Sequence, residues 1–212
     1  MSRGRGIRLC SISMRGLSSS LLADTVGAML LLSSNVSLAS EVTTSTDQHQ
    51  FVVEGTTASE LVRYMNRNAF EGDSGRAYAN MHPDYQLSLA TEQAGGICRP
   101  SSINVNVALR LTLPVANTSA MGRITRALWT SFLAFARAHE NHHKVTYLRC
   151  AHAFVHEALR QSAPSCTELH WDIEQMLAEM APECEASEQP FERSQAKLLR
   201  SLPLFRAAQS TR

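Results

Sequence analysis

The segment "INVNVALRLTL" (103–113) alternates apolar and polar residues without a break, so Ile103, Val105, Val107, Leu109, Leu111 and Leu113 all point one way from an extended chain. A strand with one oily face needs a second layer to cover it. The sequence supplies that layer a few residues later. From about residue 124 to about 161 the apolar period becomes helical, with Leu128, Phe132 and Phe135 at three- and four-residue spacing. The same stripe runs on through His139 and His143 to Cys150 and Phe154. A sheet packed on a long helix, with a helical C-terminal half, is therefore the expected architecture: an α+β fold with an antiparallel sheet.

The remaining elements are set by local signals. "QFVVEG" (50–55) has strand composition, and residues 56–70 read as a helix with Thr57 as N-cap and Glu60 as its capping-box partner. Leu61, Tyr64, Met65 and Asn68 trace the stripe of that helix. Residues 71–75 form a turn, and 76–81 and 85–92 are expected strands. Gly95, Gly96 and Pro100 mark a connection, and Pro114 is expected to end the last strand. After a turn at Pro164 and Ser165, a second helix is expected over 167–180. Pro182 and Pro190 are expected to break the chain beyond it, before a short helix over 191–202. The polar stretch 40–48 is expected to be a linker, 49–205 the folded domain and 206–212 a tail.

Residues 1–39 stand apart. Arg3, Arg5, Arg8 and Arg15 precede the apolar run "VGAMLLL" (26–32) and then small residues, with Ser37 and Ala39 placed for cleavage after Ala39. This order is that of a secretory signal peptide, and a start at Met14 would make it more compact. The apolar run is too short for a mature membrane span. The whole chain carries a net charge of +1, and the portion after residue 39 about −2. There is no basic patch with interleaved aromatics, so no nucleic-acid partner is expected.

Export changes how the cysteines read. Cys10 lies in the signal, leaving Cys98, Cys150, Cys166 and Cys184, an even set that suits two disulfides in an oxidising compartment, periplasmic or extracellular. A cysteine zinc site would need a C-x-x-C spacing that is absent.

The chemistry concentrates in "AHENHHKVTY" (138–147). His139, Glu140 and His143 make H-E-x-x-H, and four residues turn a helix slightly more than once, so both imidazoles share a face. Two such nitrogens can hold Zn²⁺ with a third protein ligand, and Glu140 is placed to act as general base. His142 lies off the face of the pair and reads as an exposed bystander. His152 and His156 also read as a solvated pair. Tyr147, one turn beyond His143, reads as packing, with assistance to an oxyanion as the alternative.

With those residues placed, the chain resembles the bacterial secreted zinc-dependent protease-like proteins of domain of unknown function 922. The ordered landmarks are "VEGTTASEL" (53–61), "GICRPSSINVNVALRLTLP" (96–114), "LWTSFLAFARAHENHH" (128–143) and Cys166 before the second helix, covering about 49–200. The resemblance implies a zincin-like metallopeptidase fold and hydrolysis of peptide bonds, with a peptide or protein as substrate. One departure is plain. Family members close with a Y-D-x-x-T-x-H-G-like segment, a source of a third ligand. Here "FERSQAK" (191–197) keeps an aromatic and an acid at Phe191 and Glu192 but puts Lys197 where the histidine would be.

A helical hairpin offers a substitute. If it turns near Ser165, His143 and His139 lie about 22 and 26 residues before the turn, and equal distances beyond it reach the interval near Glu188 and Glu192. Glu192 is the first choice for third ligand, then Glu188 and Glu185; the other reading is a surface glutamate in an acidic stretch. The same hairpin keeps Cys166 and Cys184 too far apart to bridge, which favours Cys98–Cys166 with Cys150–Cys184. The expectation is thus a zinc peptidase, with a non-catalytic envelope or binding protein of the same fold as the rival. An edge strand could hold an extended peptide, and 103–113 is a candidate, with an internal strand as the other reading.

Overall fold

A computed structural model describes residues 40–210 apart from Ser74. The expected signal segment, its cleavage point and the alternative start at Met14 lie outside the described residues. In chain order the elements are β1 (Glu41–Val53), α1 (Ala58–Asn68), β2 (Phe70–Gly72), β3 (Gly75–Ala77), β4 (Asn80–Ala94), β5 (Ile97–Ala116), α2 (Arg123–Ala158), α3 (Cys166–Ser187), α4 (Gln189–Ser201) and α5 (Pro203–Gln209). The mixed α+β class is as expected.

The sheet is ordered β1-β5-β4, with β4 antiparallel to β5 and β1 parallel to it. Three expectations are corrected here. The sheet is mixed, because the chain leaves β1 through α1 and the β2–β3 hairpin before it returns to the sheet. The strand containing 103–113 is central, paired on both sides, so it offers no edge for a peptide. Residues 41–48 are no linker: Glu41 to Gln48 pair in register with Asn104 to Leu111. The strand expected at 50–55 is the end of β1; its first part hides from pattern reading because it is an outer strand, exposed over most of its length, and the backbone ladder holds it in place of an apolar face.

Prolines also behave differently from expectation. Pro114 does not end β5, which runs to Ala116; β4 pairs only as far as Thr112, so beyond that point β5 has a neighbour on one side alone. The expected strand 76–81 is split between β3, a bend and the start of β4.

The helices cover one face of the sheet. Ile103, Val105, Val107 and Leu109 of β5 pack with Tyr147, Ala151 and Phe154 of α2 and with Leu169 and Ile173 of α3 in one buried cluster. A second cluster joins Leu61 and Met65 of α1 to Trp129 and Phe132 of α2 and to Leu204 and Phe205 of α5. The expected tail is therefore corrected in part: α5 extends to Gln209, and Ala208 is buried along with Leu204 and Phe205 at the end of the expected domain. The start of α1 is built as expected, with the Thr57 hydroxyl accepting from Glu60 N–H and the Glu60 carboxylate accepting from Thr57 N–H at 3.1 Å. Gly55 fits the same corner at φ +140°, where a Cβ would stand 2.8 Å from Glu60 Cβ and from Leu61 N.

Both disulfides are the expected pairs, with Cα–Cα distances of 5.1 Å for Cys98–Cys166 and 6.2 Å for Cys150–Cys184. The second carries a correction. α3 does not stop before Pro182 but continues through it to Ser187, with buried Cys184 tying the last turns to α2. Tertiary anchorage outweighs the single helix bond that proline removes. Pro190 sits in the first turn of α4, where its missing N–H has no helix partner to lose.

Candidate metal centre

His139 and His143 project from the middle of α2, and α4 brings Glu192 against both. Glu192 Oε1 lies 2.7 Å from His143 Nε2 and 3.2 Å from His139 Nε2, and the two Nε2 atoms are 3.0 Å apart. All three side chains thus aim one donor atom at a common point, within 4.8 Å of one another. Donors around one tetrahedral zinc with bonds near 2.0–2.1 Å stand about 3.3 Å apart, so this triangle needs to open only by tenths of an ångström. The donor chemistry, two imidazoles and a carboxylate, suits zinc better than calcium or magnesium, which prefer all-oxygen sites. Buried polar atoms at the site also lack hydrogen-bond partners, His139 Nδ1 and Glu140 Oε2 among them. The residues present fit the ion that the motif implies.

The face of α2 that turns inward differs from the expected stripe. Trp129, Phe132, Ala136, Glu140, His143 and Tyr147 are buried, while Leu128, Phe135 and His139 are only half-buried. Glu140 is the most enclosed of the three motif residues, at 2% exposure. Burial pushes its carboxyl up to about 7, although His139 and His143 pull it down. Burial also works to raise Glu192, but the two imidazoles beside it win and hold it at about 2. For His143 burial favours the neutral ring, yet Glu192, Glu140 and Glu188 together raise it. Glu140 is thus set to exchange a proton near neutrality while Glu192 stays anionic.

Of the alternatives to Glu192, Glu188 is present but does something else. It lies on the far side of the ring, with Oε2 3.1 Å from His143 Nδ1 and 3.2 Å from His142 Nε2. Glu185 is exposed and does not join the histidines, and Lys197 is exposed on α4. His142 has a half-exposed side chain but is no bystander. Its ring stacks on Phe191 at 3.7 Å between centroids, and Phe191 also stacks on His139 at 5.1 Å. That aromatic contact holds the first turn of α4 on α2, one residue from Glu192. His152 and His156 are exposed, as expected.

A cleft of about 430 Å³ opens beside the centre, lined in part by Asn80, Met81, Phe135, Glu140, Tyr147 and Arg193. Tyr147 packs against the His143 ring at 6.0 Å and is 3% exposed. Burial, with help from Asp73, Glu185 and Glu188, raises its phenol far above the usual range, so it stays protonated. Asp73 is the residue that sequence reading missed, having been absorbed into a turn. It hangs between β2 and β3 over the cleft, with Oδ1 2.9 Å from His82 Nδ1 and Oδ2 buried without a hydrogen-bond partner. No spacing pattern links it to the H-E-x-x-H helix.

Fold and site together define a disulfide-bonded α+β protein with a histidine–carboxylate cluster on its long helix. The family model described as "Bacterial protein of unknown function (DUF922)" matches residues 48–197, and the chain belongs to that family. The match runs from within β1 to within α4 and so includes His139, Glu140, His143 and Glu192. No curated protein and no solved structure matches the chain. Among the described residues no helix is long and apolar enough to cross a membrane.

Proposed function

We propose that the protein is an exported, zincin-like zinc peptidase that holds Zn²⁺ through His139, His143 and Glu192. The observation that carries this reading is the convergence of Glu192 on both Nε2 atoms, at 2.7 and 3.2 Å, beside a buried glutamate in H-E-x-x-H spacing. Two disulfides suit an oxidising compartment outside the cytoplasm.

Zinc there would polarise a peptide carbonyl and bring the acidity of a water toward neutrality. The chain's own residues do the rest. Glu140 Oε2 has no hydrogen-bond partner to give up, so it is free to take a proton from the attacking water and pass it to the departing amide nitrogen. Glu192, as a carboxylate, would offset part of the ion's positive charge. Tyr147, kept as a neutral O–H, backs the His143 ring and borders the cleft.

Zinc analysis of the purified mature protein tests the reading, together with protease assays of wild type, Glu140→Gln and His143→Ala. Near-stoichiometric zinc in wild type and Glu140→Gln, with cleavage by wild type alone, is expected. A wild-type protein that never holds zinc at neutral pH would sink it. Zinc without cleavage of any peptide or protein would favour the binding-protein alternative.

A further inference from the structure

Glu188 occupies the corner where α3 passes into α4, as the last residue associated with one helix and the residue before the other. It is 5% exposed, an unusual place for a carboxylate. What it meets is imidazole: the same oxygen, Oε2, is 3.1 Å from His143 Nδ1 and 3.2 Å from His142 Nε2. A buried carboxylate is tolerated where it is paired, and among the described residues its ion-pair partners are these two histidine rings, with no lysine or arginine.

We propose that Glu188 is a positioning residue for the metal centre, holding the Nδ1 side of His143 so that Nε2 is committed to the ion shared with His139 and Glu192. The proposal rests on the zinc reading above. An imidazole that gives one nitrogen to a metal carries its proton on the other, and a carboxylate accepting that proton fixes both tautomer and ring orientation while making the ligating nitrogen more basic. Glu188 cannot share the ion itself, because it addresses the opposite edge of the ring from Glu192. The 3.1 Å approach of Oε2 to Nδ1 is a close contact of two buried polar atoms that have no other hydrogen-bond partner.

The helix geometry explains why one corner delivers both acids. Glu188 and Glu192 are one turn apart, as are His139 and His143, so two matched turns lie against each other. Glu192 takes the Nε2 side and Glu188 the Nδ1 side of His143. His142 contributes through Glu188, pressing on the same oxygen while its ring stacks on Phe191.

The experiment measures zinc affinity by chelator competition for wild type, Glu188→Gln, Glu188→Ala and Glu192→Gln. It adds the visible spectrum of the Co²⁺-loaded forms and thermal melting of the zinc-stripped proteins. Glu188→Gln is expected to lower zinc affinity about 10–100-fold. It should keep the wild-type Co²⁺ spectrum and melt no lower than stripped wild type, since it removes a buried charge without changing shape. Glu192→Gln should change the spectrum. The inference is overturned if both Glu188 variants bind zinc like wild type, or if Glu188→Gln shifts the Co²⁺ spectrum as Glu192→Gln does, which would make Glu188 a ligand. If wild type holds no zinc, the reading of the site fails first; if wild type binds and the variants do not differ from it, only this inference fails.

Discussion

His143 Nε2 stands 2.7 Å from Glu192 Oε1, although the two residues belong to helices α2 and α4 with the whole of α3 between them in sequence. In the proposed zinc site that relationship makes Glu192 the third ligand, in place of a residue near position 197. It predicts that Glu192→Gln and Glu192→Ala lose more zinc affinity than the roughly 10–100-fold typical of a residue outside the ligand set. Lys197→Ala, changing an exposed side chain on the same helix, should leave zinc affinity as it is. Equilibrium competition with a chromogenic chelator measures both, and equal losses in the two would contradict the assignment.

Glu140 gives a prediction with a pH sign. Its carboxyl is pushed up to about 7 in the folded protein by burial, above an ordinary carboxylate value. A folded value raised above the unfolded one gives a contribution that is full below the unfolded value and lost as pH rises through the folded value. In zinc-stripped protein, then, Glu140→Gln, which never charges, should gain stability over wild type between about pH 4.5 and 8, by an amount on the order of 1–3 kcal/mol. The two should be alike at the acid end. Urea unfolding at both pH values checks this, and an unchanged difference would mean that Glu140 is not held in a desolvated place.

What was legible in the sequence was whatever obeys a short period. The alternation in 103–113 located the central strand, Thr57 and Glu60 located the start of α1, and four-residue spacing located the paired imidazoles. Glu192 was reachable too, because an antiparallel helix pair makes chain distance a measure of height. The end of β1 was legible in 50–53, but its first part, 41–48, was hidden because its stability comes from backbone pairing, which leaves no side-chain signature. The extent of α3 was hidden because Pro182 argues locally against it, while a bond to Cys150 settles the matter from another helix. Asp73 was hidden because only the folding of the β2–β3 hairpin over α2 brings it to the cleft.

The Cys150–Cys184 bridge should matter to the metal as well as to the fold. Cys184 lies one turn before Glu188 on a helix that a proline would otherwise weaken, and it pins that end to α2. Replacing both cysteines by serine is expected to cost about 3–4 kcal/mol by loop entropy and to weaken zinc binding as well. Replacing Cys98 and Cys166 should cost at least as much, because the loop that bridge closes is longer, but leave zinc affinity nearly unchanged, since it fastens the opposite end of α3 to β5. Chemical denaturation and zinc competition on the two double variants separate the cases. Equal effects on zinc would show that the bridge does not set the height of α3 against α2.

Leu204 tests the packing of α5. It is fully buried between α1 and α2, in the cluster with Leu61, Met65, Trp129 and Phe132, and lies in a segment with no strong sequence pattern. Leu204→Ala leaves a cavity there, and such truncations cost about 2–5 kcal/mol depending on how far the surroundings collapse. The cluster touches the N-terminal half of α2, whereas the proposed ligands lie in the middle of α2 and at the start of α4. Zinc affinity per folded molecule should therefore persist while the denaturation midpoint falls. If Leu204→Ala were neutral in stability, α5 would be a peripheral helix and the folded domain would end near Ser201.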